Sequence, residues 1–190
     1  MKNEKESMIG PVEGFVLEEL LEALREFIQN ALKDYRLPVK KPAKGKPPER
    51  AIKAHRMLVP DPEAEAELDA EGWDEEEREQ IPYVMLQVLN GSDSRGDNGQ
   101  MESRVGVRFV ITIYNSDTWE GRMQVLHIVQ HLRRELIRKT VIGKTFELLW
   151  PLEYLIYPDE TAPYHLGEIS TVWSVPPVER DLPELKGLRW

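Results

Sequence analysis

Apolar and polar side chains alternate along residues 81–177 in a pattern that predicts two strands, a helix and two further strands. The clearest strand covers residues 104–114, where Val105, Val107 and Phe109 are separated by polar or small residues. A period of two residues is typical of a strand that buries one of its faces. This block therefore forms the core of the predicted fold.

The other strands of the block differ in their patterns. Residues 81–89 carry apolar side chains on both faces, which indicates a central strand. Residues 90–99 are polar and contain three glycines, so we expect a long polar loop that joins two strands of a hairpin. Residues 146–157 and 164–175 predict a second hairpin, with the last strand closing the sheet.

Two helices accompany these strands. Residues 12–36 keep a 3.6-residue apolar period through about six turns. A second helix is predicted over residues 118–139, because Asn115 and Asp117 precede it and supply N-cap chemistry. With a short strand near residues 51–59, the order is helix, strand, strand, strand, helix, strand, strand. We expect an α+β fold in which two helices pack on one face of a mainly antiparallel sheet.

The length of 190 residues fits a single domain with appendages. We divide it into the helix at 12–36, a charged, proline-rich insertion at 38–80, the core at 81–177 and a tail at 178–190. Within the insertion, residues 61–79 carry eleven acids against one arginine, while residues 36–56 carry eight basic residues against one glutamate. We interpret these two blocks as solvated segments that screen each other.

Composition excludes several kinds of chemistry. The chain has no cysteine, which removes disulfides, thiolate catalysis and cysteine-based zinc sites. We find no apolar run of about 18 residues and no secretory signal, so we expect a soluble, intracellular protein with no membrane partner. The net charge of −9 and the lack of a basic, aromatic sheet signature argue against specific nucleic-acid binding.

The remaining motifs do not assemble a catalytic site. His127 and His131 have the spacing of a helical metal pair, but Ile128 replaces the glutamate of the zincin pattern, and a solvated helix surface is the favoured interpretation. Arg95-Gly96-Asp97 matches an adhesion motif over three residues, for which a glycine-rich hairpin tip is the favoured interpretation. We therefore predict no catalytic residue, cofactor or metal ligand, and no enzyme activity.

A resemblance to a known family rests on four marks spread along the chain: the strand at 105–114, the helix after residues 115–117, the Pro151-Leu152 pair, and above all residues 162–173. In these marks the chain resembles the tail terminator (tail completion) proteins of tailed bacteriophages, of the type encoded by phages and prophages of Gram-positive bacteria. The resemblance covers the first helix and nearly all of residues 81–177. The charged segment at 40–79 departs from it by being longer and more charged.

The resemblance implies a structural protein of the virion tail, assembled in the host cytoplasm. Such proteins form a ring, typically a hexamer, on the head-proximal end of the tail tube, where they end polymerisation and join the head connector. The implied partners are further copies of the chain, the tube protein and the connector protein. Candidate contacts are Arg95 and Asp97 in the hairpin loop, and Glu168 and Trp173 in the last strand.

Two other classes of function stay open at this point. One is a small α+β hydrolase with a metal or carboxylate site, and the other is a nucleic-acid-binding accessory protein. For Glu168, a position in a subunit contact and a position on a solvent-facing strand surface have similar support from the sequence.

Overall fold

The computed structural model describes residues 15–38, 49–57, 81–97, 99–158 and 162–177. Most of the predicted insertion at 38–80 and the predicted tail at 178–190 lie outside these ranges. Within them the chain forms two helices and eight strands, in the order α1 (Val16–Ala31), β1 (Arg36–Pro38), β2 (Glu49–Ala51), β3 (Lys53–Arg56), β4 (Tyr83–Arg95), β5 (Met101–Tyr114), α2 (Thr118–Arg138), β6 (Val141–Ile142), β7 (Phe146–Ile156) and β8 (Tyr164–Val175).

Six strands form one sheet in the order β3-β4-β5-β8-β7-β6, and β1 pairs with β2 in a separate ribbon. Every neighbouring pair in the six-stranded sheet is antiparallel except β3 and β4, which are parallel. The predicted α+β fold and its order of helices and main strands are confirmed. β1, β2 and β6 were not predicted, because strands of two or three residues show no measurable apolar period.

Helix α1 forms because its apolar residues recur on one side, where Leu20, Leu24 and Ile28 are almost completely buried. It ends at Ala31, earlier than the predicted end at residue 36. Leu32 leaves helical geometry, with φ −103° and ψ 9°, although its N–H still bonds to the Ile28 carbonyl. Residues 32–34 form a turn in place of the last predicted helical turn, and the chain then enters β1, which pairs with β2.

Helix α2 begins where the sequence predicts. The Asp117 carboxylate accepts a hydrogen bond from the Glu120 N–H at 2.8 Å, and the Asn115 side chain accepts one from the Asp117 N–H at 2.9 Å. These bonds satisfy backbone groups that a helix start leaves free. The helix buries an apolar stripe against the sheet, made of Val125, Ile128, Val129, Leu132 and Leu136.

Helix α2 lies unusually close to β8, and two glycines allow this approach. A Cβ at Gly167 would lie 2.5 Å from Cγ1 of Val125, and a Cβ at Gly121 would lie 2.2 Å from Cδ2 of His165. Real Cβ atoms essentially never come so near another heavy atom. The helix backbone at Gly121 therefore packs against the His165 side chain of β8, and the β8 backbone at Gly167 packs against the Val125 side chain of the helix.

The first hairpin differs from the prediction. The segment 90–99 was predicted as a loop, but residues 90–95 continue β4 and pair with residues 101–106 of β5. Residues 89–95 are all exposed, so the backbone pairing with β5 holds residues 90–95 extended without apolar side chains to pack. The Ser103 hydroxyl also donates a hydrogen bond to the Asp93 carboxylate across the two strands. The segment that connects β4 to β5 is therefore residues 96–100, which is shorter than the predicted loop at 90–99.

Candidate interaction surface

Glu168 lies on the sheet face opposite the helices and is engaged within its own chain. Its carboxylate accepts hydrogen bonds from the Tyr157 hydroxyl at 2.8 Å and from the Ser170 hydroxyl at 3.1 Å. Arg108 stands 3.6 Å from the carboxylate and also donates to the Gln87 side chain at 2.7 Å. We call these five residues the Glu168 cluster. Glu168 is thus held by neighbouring strands, and its role in a subunit contact stays a prediction.

The Glu168 cluster changes the acidity of Tyr157. The pKa of Tyr157 is raised above its ordinary value of about 10 because its hydroxyl donates to Glu168, with burial and the negative charge of Glu168 acting in the same direction. Because the pKa is raised in the folded chain, this contribution to stability is present below pH ~10 and is lost as the pH rises through the raised pKa.

Replacing Glu168 by glutamine should move the pKa of Tyr157 back toward its ordinary value. The neutral amide still accepts a hydrogen bond, but it no longer repels the phenolate. An ultraviolet titration measures this pKa, and subtracting the curve of a Tyr157→Phe variant isolates Tyr157 from the other five tyrosines. An unchanged pKa in Glu168→Gln would show that the bond to Glu168 is not the cause.

Trp173 does not present a contact surface, which corrects its place among the predicted contacts. Its side chain is 0% exposed, and its indole N–H donates to the Thr171 hydroxyl at 2.8 Å. That hydroxyl donates in turn to the Val107 carbonyl at 2.8 Å. Odd-numbered positions of β8 face the helices, so residue 173 lies in the core while residue 168 lies on the opposite face.

Arg95 and Asp97 are both exposed at the end of the first hairpin. The chain turns there through bonds from the Gly96 N–H to the Gln100 carbonyl at 2.9 Å and from the Gly99 N–H to the Gly96 carbonyl at 2.8 Å. Arg95 pairs in register with Met101, whereas Glu168 pairs with Val110, nine residues along β5. Arg95 and Glu168 are therefore about 30 Å apart and form no single site.

The two helical histidines have different environments. His127 is exposed, whereas His131 bridges the helices, with its Nε2 atom 2.9 Å from the Ala31 carbonyl. Arg134 lies 2.8 Å from His131 Nδ1, so Nδ1 accepts and Nε2 carries the proton donated to Ala31. The predicted solvated surface is thus wrong for His131. No three histidine, aspartate or glutamate side chains of the described residues could share a metal ion.

Replacing His131 by alanine should lower the free energy of unfolding by about 1 kcal/mol, because the bond between the helices is lost and the Ala31 carbonyl loses its partner. Replacing His127 by alanine provides the matched control and should leave stability almost unchanged. Denaturant unfolding of both variants measures the difference. Equal effects of the two substitutions would contradict the assigned bridge.

A groove of about 540 Å³ lies between α2, β7 and the turn that follows α1, with Tyr35 and Tyr154 on its sides. The guanidinium of Arg133 lies 5.8 Å from the centre of the Tyr154 ring, and Arg134 and Arg138 share the carboxylate of Glu135. No serine, threonine, aspartate or glutamate lines the groove among the described residues. The described lining consists of aromatic, basic and amide side chains with one isoleucine.

The sheet has two open edges on opposite sides. On one side, β3 pairs with β4 only as far as Leu86, so residues 89–95 have no outer strand among the residues that the structure describes. On the other side, the last bond to the β6 side joins the Leu148 N–H to the Thr140 carbonyl, which leaves residues 149–156 open. We call these sections the β4 edge and the β7 edge.

Exposed apolar side chains concentrate at these two edges. Near the β4 edge, Leu89 is 52% exposed, and Met57 and Met101 are also exposed. On the β7 edge, Trp150 is 64% exposed, and Tyr154 and Leu155 are about half exposed. Open strand edges with large apolar side chains are sites of association unless something covers them. The edges are therefore the strongest candidate contact surfaces among the described residues.

A scan against protein-family models and a search of curated proteins find no match for this chain. Among solved structures, the chain is similar to a chain in the virion of a native gene transfer agent particle, with a TM-score of 0.41 and 8% identity. The similarity covers 86% of this chain and 98% of that chain. A TM-score this low carries no argument about function. Neither described helix is long and apolar enough to span a membrane.

Proposed function

We propose that the chain is a structural virion protein that caps the head-proximal end of a phage or phage-like tail tube. Six copies form a ring, end tube polymerisation and present the surface that joins the head connector. The sequence resemblance to tail terminator proteins motivates this proposal. The observation that carries it is that two sections of the sheet, residues 89–95 of β4 and 149–156 of β7, have no outer strand among the described residues.

Ring geometry explains why two different edges matter. Identical subunits in a closed ring make heterologous contacts, in which one surface of each copy meets a different surface of the next. A subunit with a single, self-complementary contact surface would form a twofold dimer. The β4 edge and the β7 edge are two such surfaces, separated by the width of the sheet.

The exposed hairpin tip fits docking onto the tube or the connector. Arg95 and Asp97 lie at its exposed end, and charges on the rim of an interface guide orientation more than they add affinity. The residues considered for other functions have structural partners: His131 links the helices, and Glu168 links neighbouring strands. No observation favours a hydrolase or a nucleic-acid-binding protein, so we propose that the chain is not an enzyme.

Electron microscopy of tail tubes mixed with the purified protein tests the proposal. We expect a ring at one end of each tube, and we expect tubes with a ring to stop growing when tube protein is added. Tubes without the added protein provide the control and should continue to grow. Binding along the tube wall, or growth that continues at both ends, would contradict the proposal.

A further inference from the structure

We propose that the groove of about 540 Å³ beside α2 binds a phosphorylated ligand, whose phosphate groups are held by arginines of the helix. We call it the arginine groove and define it by Arg133, Arg134 and Arg138 of α2 together with the rings of Tyr35 and Tyr154. Its volume lies within the ~300–1,000 Å³ of ordinary ligand sites. Such a site is separate from the proposed function and needs no ring of subunits.

Positive charge in the arginine groove exceeds negative charge. Three arginines line it, whereas its described lining contains no aspartate or glutamate. Arg134 and Arg138 each lie 3.4 Å from the carboxylate of Glu135, so one carboxylate serves two guanidinium groups. Arg133 forms no ion pair with any described residue. Three guanidinium groups against one carboxylate leave an excess of two positive charges.

The dipole of α2 explains only one of these arginines. Positive side chains near the C-terminus of a helix interact favourably with its partial negative charge, but this effect falls off within the last turn. Arg138 lies in the last turn of α2, whereas Arg133 and Arg134 precede it. The dipole therefore gives no reason for the charges that these two arginines bring to the groove.

Contacts within the chain hold two of the guanidinium groups in position. The Arg133 guanidinium lies 5.8 Å from the centre of the Tyr154 ring, within the range of a cation–π interaction. Arg134 donates to His131 Nδ1 at 2.8 Å, and His131 Nε2 is in turn bonded to the Ala31 carbonyl at 2.9 Å. A guanidinium carries five N–H donors, so both arginines keep donors for a ligand. Because they are already positioned, they lose less conformational freedom when a ligand binds.

The number and charge of the guanidinium groups favour phosphate over a carboxylate. A carboxylate has two oxygens, which a single arginine can occupy through a bidentate pair. A phosphate ester has three acceptor oxygens and a charge of about −1.5 to −2 at pH 7, which matches the excess of two positive charges. The net charge of −9 repels anions from the chain as a whole. Binding of phosphate therefore depends on the local charge of the arginine groove.

Calorimetric titration of the full chain with inorganic pyrophosphate tests this site, in ~0.15 M salt so that distant charges are screened. Arg133→Gln and Arg134→Gln should each weaken the affinity about tenfold, because each removes hydrogen bonds from a charged donor to the phosphate. Arg104→Gln is the matched control, because Arg104 is exposed on β5, outside the groove, and the substitution changes the net charge equally. The control should bind pyrophosphate as the native chain does.

Two variants of Tyr154 test whether its ring positions Arg133. Tyr154→Ala removes the ring and should weaken pyrophosphate binding severalfold, because Arg133 loses the cation–π contact. Tyr154→Phe keeps the ring and should bind nearly as tightly as the native chain. Equal affinity of Tyr154→Ala and the native chain would contradict the positioning role of the ring.

The same titration with a single DNA strand of about ten nucleotides distinguishes two sources of phosphate. Weaker binding of the strand than of pyrophosphate would assign the groove to a small phosphorylated molecule, and tighter binding that the arginine substitutions abolish would assign it to nucleic-acid phosphates. Absence of pyrophosphate binding by the native chain would overturn the proposed site. Equal weakening by Arg104→Gln and by the groove variants would also overturn it, since binding would then follow net charge alone.

Discussion

Replacing Trp173 by alanine is expected to lower the free energy of unfolding by ~3–5 kcal/mol. The Trp173 side chain is 0% exposed, at the centre of the sheet face that the helices cover. Its removal leaves a large cavity lined by side chains that cannot collapse into it, and the Thr171 hydroxyl loses the indole N–H. The loss is a large fraction of the ~5–15 kcal/mol that stabilises a typical domain.

Denaturant unfolding measures this change, and the chain offers a matched control. Trp119 is 74% exposed near the start of α2, so Trp119→Ala should change the free energy of unfolding by no more than ~0.5 kcal/mol. If the two substitutions have equal effects, or if Trp173→Ala abolishes assembly without loss of stability, Trp173 is a contact residue and its assignment to the core is wrong.

Replacing Gly121 by leucine is expected to lower the free energy of unfolding by ~2 kcal/mol or more. A Cβ at this position would lie 2.2 Å from Cδ2 and 2.3 Å from Nε2 of His165. The His165 ring is buried and bonds to the Asn115 carbonyl at 3.0 Å, so it has little freedom to move. Overpacking of ~1–3 kcal/mol then exceeds the gain of ~1 kcal/mol from removing a helical glycine.

Thermal or denaturant unfolding tests the Gly121 prediction, with Gly91→Ala as the control. At Gly91 the nearest heavy atom to an added Cβ is the Arg104 carbonyl oxygen at 3.6 Å, an ordinary contact. The control should therefore be nearly neutral. A Gly121→Leu variant that is as stable as the native chain would show that α2 and β8 are not packed this closely.

The sequence predicts the elements whose side chains face different environments. β8 is observed at Tyr164–Val175, as predicted, because every second residue is buried under the helices. Helix α2 begins at Thr118, as predicted, because Asp117 caps it through a side-chain bond that local sequence specifies. In both cases the information lies within a few residues of the element.

Residues 90–95 show where this reasoning fails. They are polar on both faces, so no apolar period marks them as a strand, and backbone pairing with β5 keeps them extended, with one side-chain bond between Ser103 and Asp93. Trp173 shows a different error. The alternation that predicts β8 places residue 173 on the same face as Ile169, which is buried, so the pattern indicates a core position for Trp173 and not a contact surface.

The open edges could not be derived from local sequence. Which strand lies beside which depends on pairing between distant residues, such as β5 with β8. Only the complete order shows that β6 covers one end of β7 and that β3 covers one end of β4. The candidate contact surface is therefore a property of the assembled sheet.

Tail length in particles made without this protein tests the proposed function most directly. Deleting the gene should give tails of uncontrolled, excessive length or particles without joined tails, and supplying the native chain from a plasmid should restore joined tails of normal length. Electron microscopy measures both outcomes. Joined tails of normal length in the deletion strain would contradict the proposed role as a cap of the tail tube.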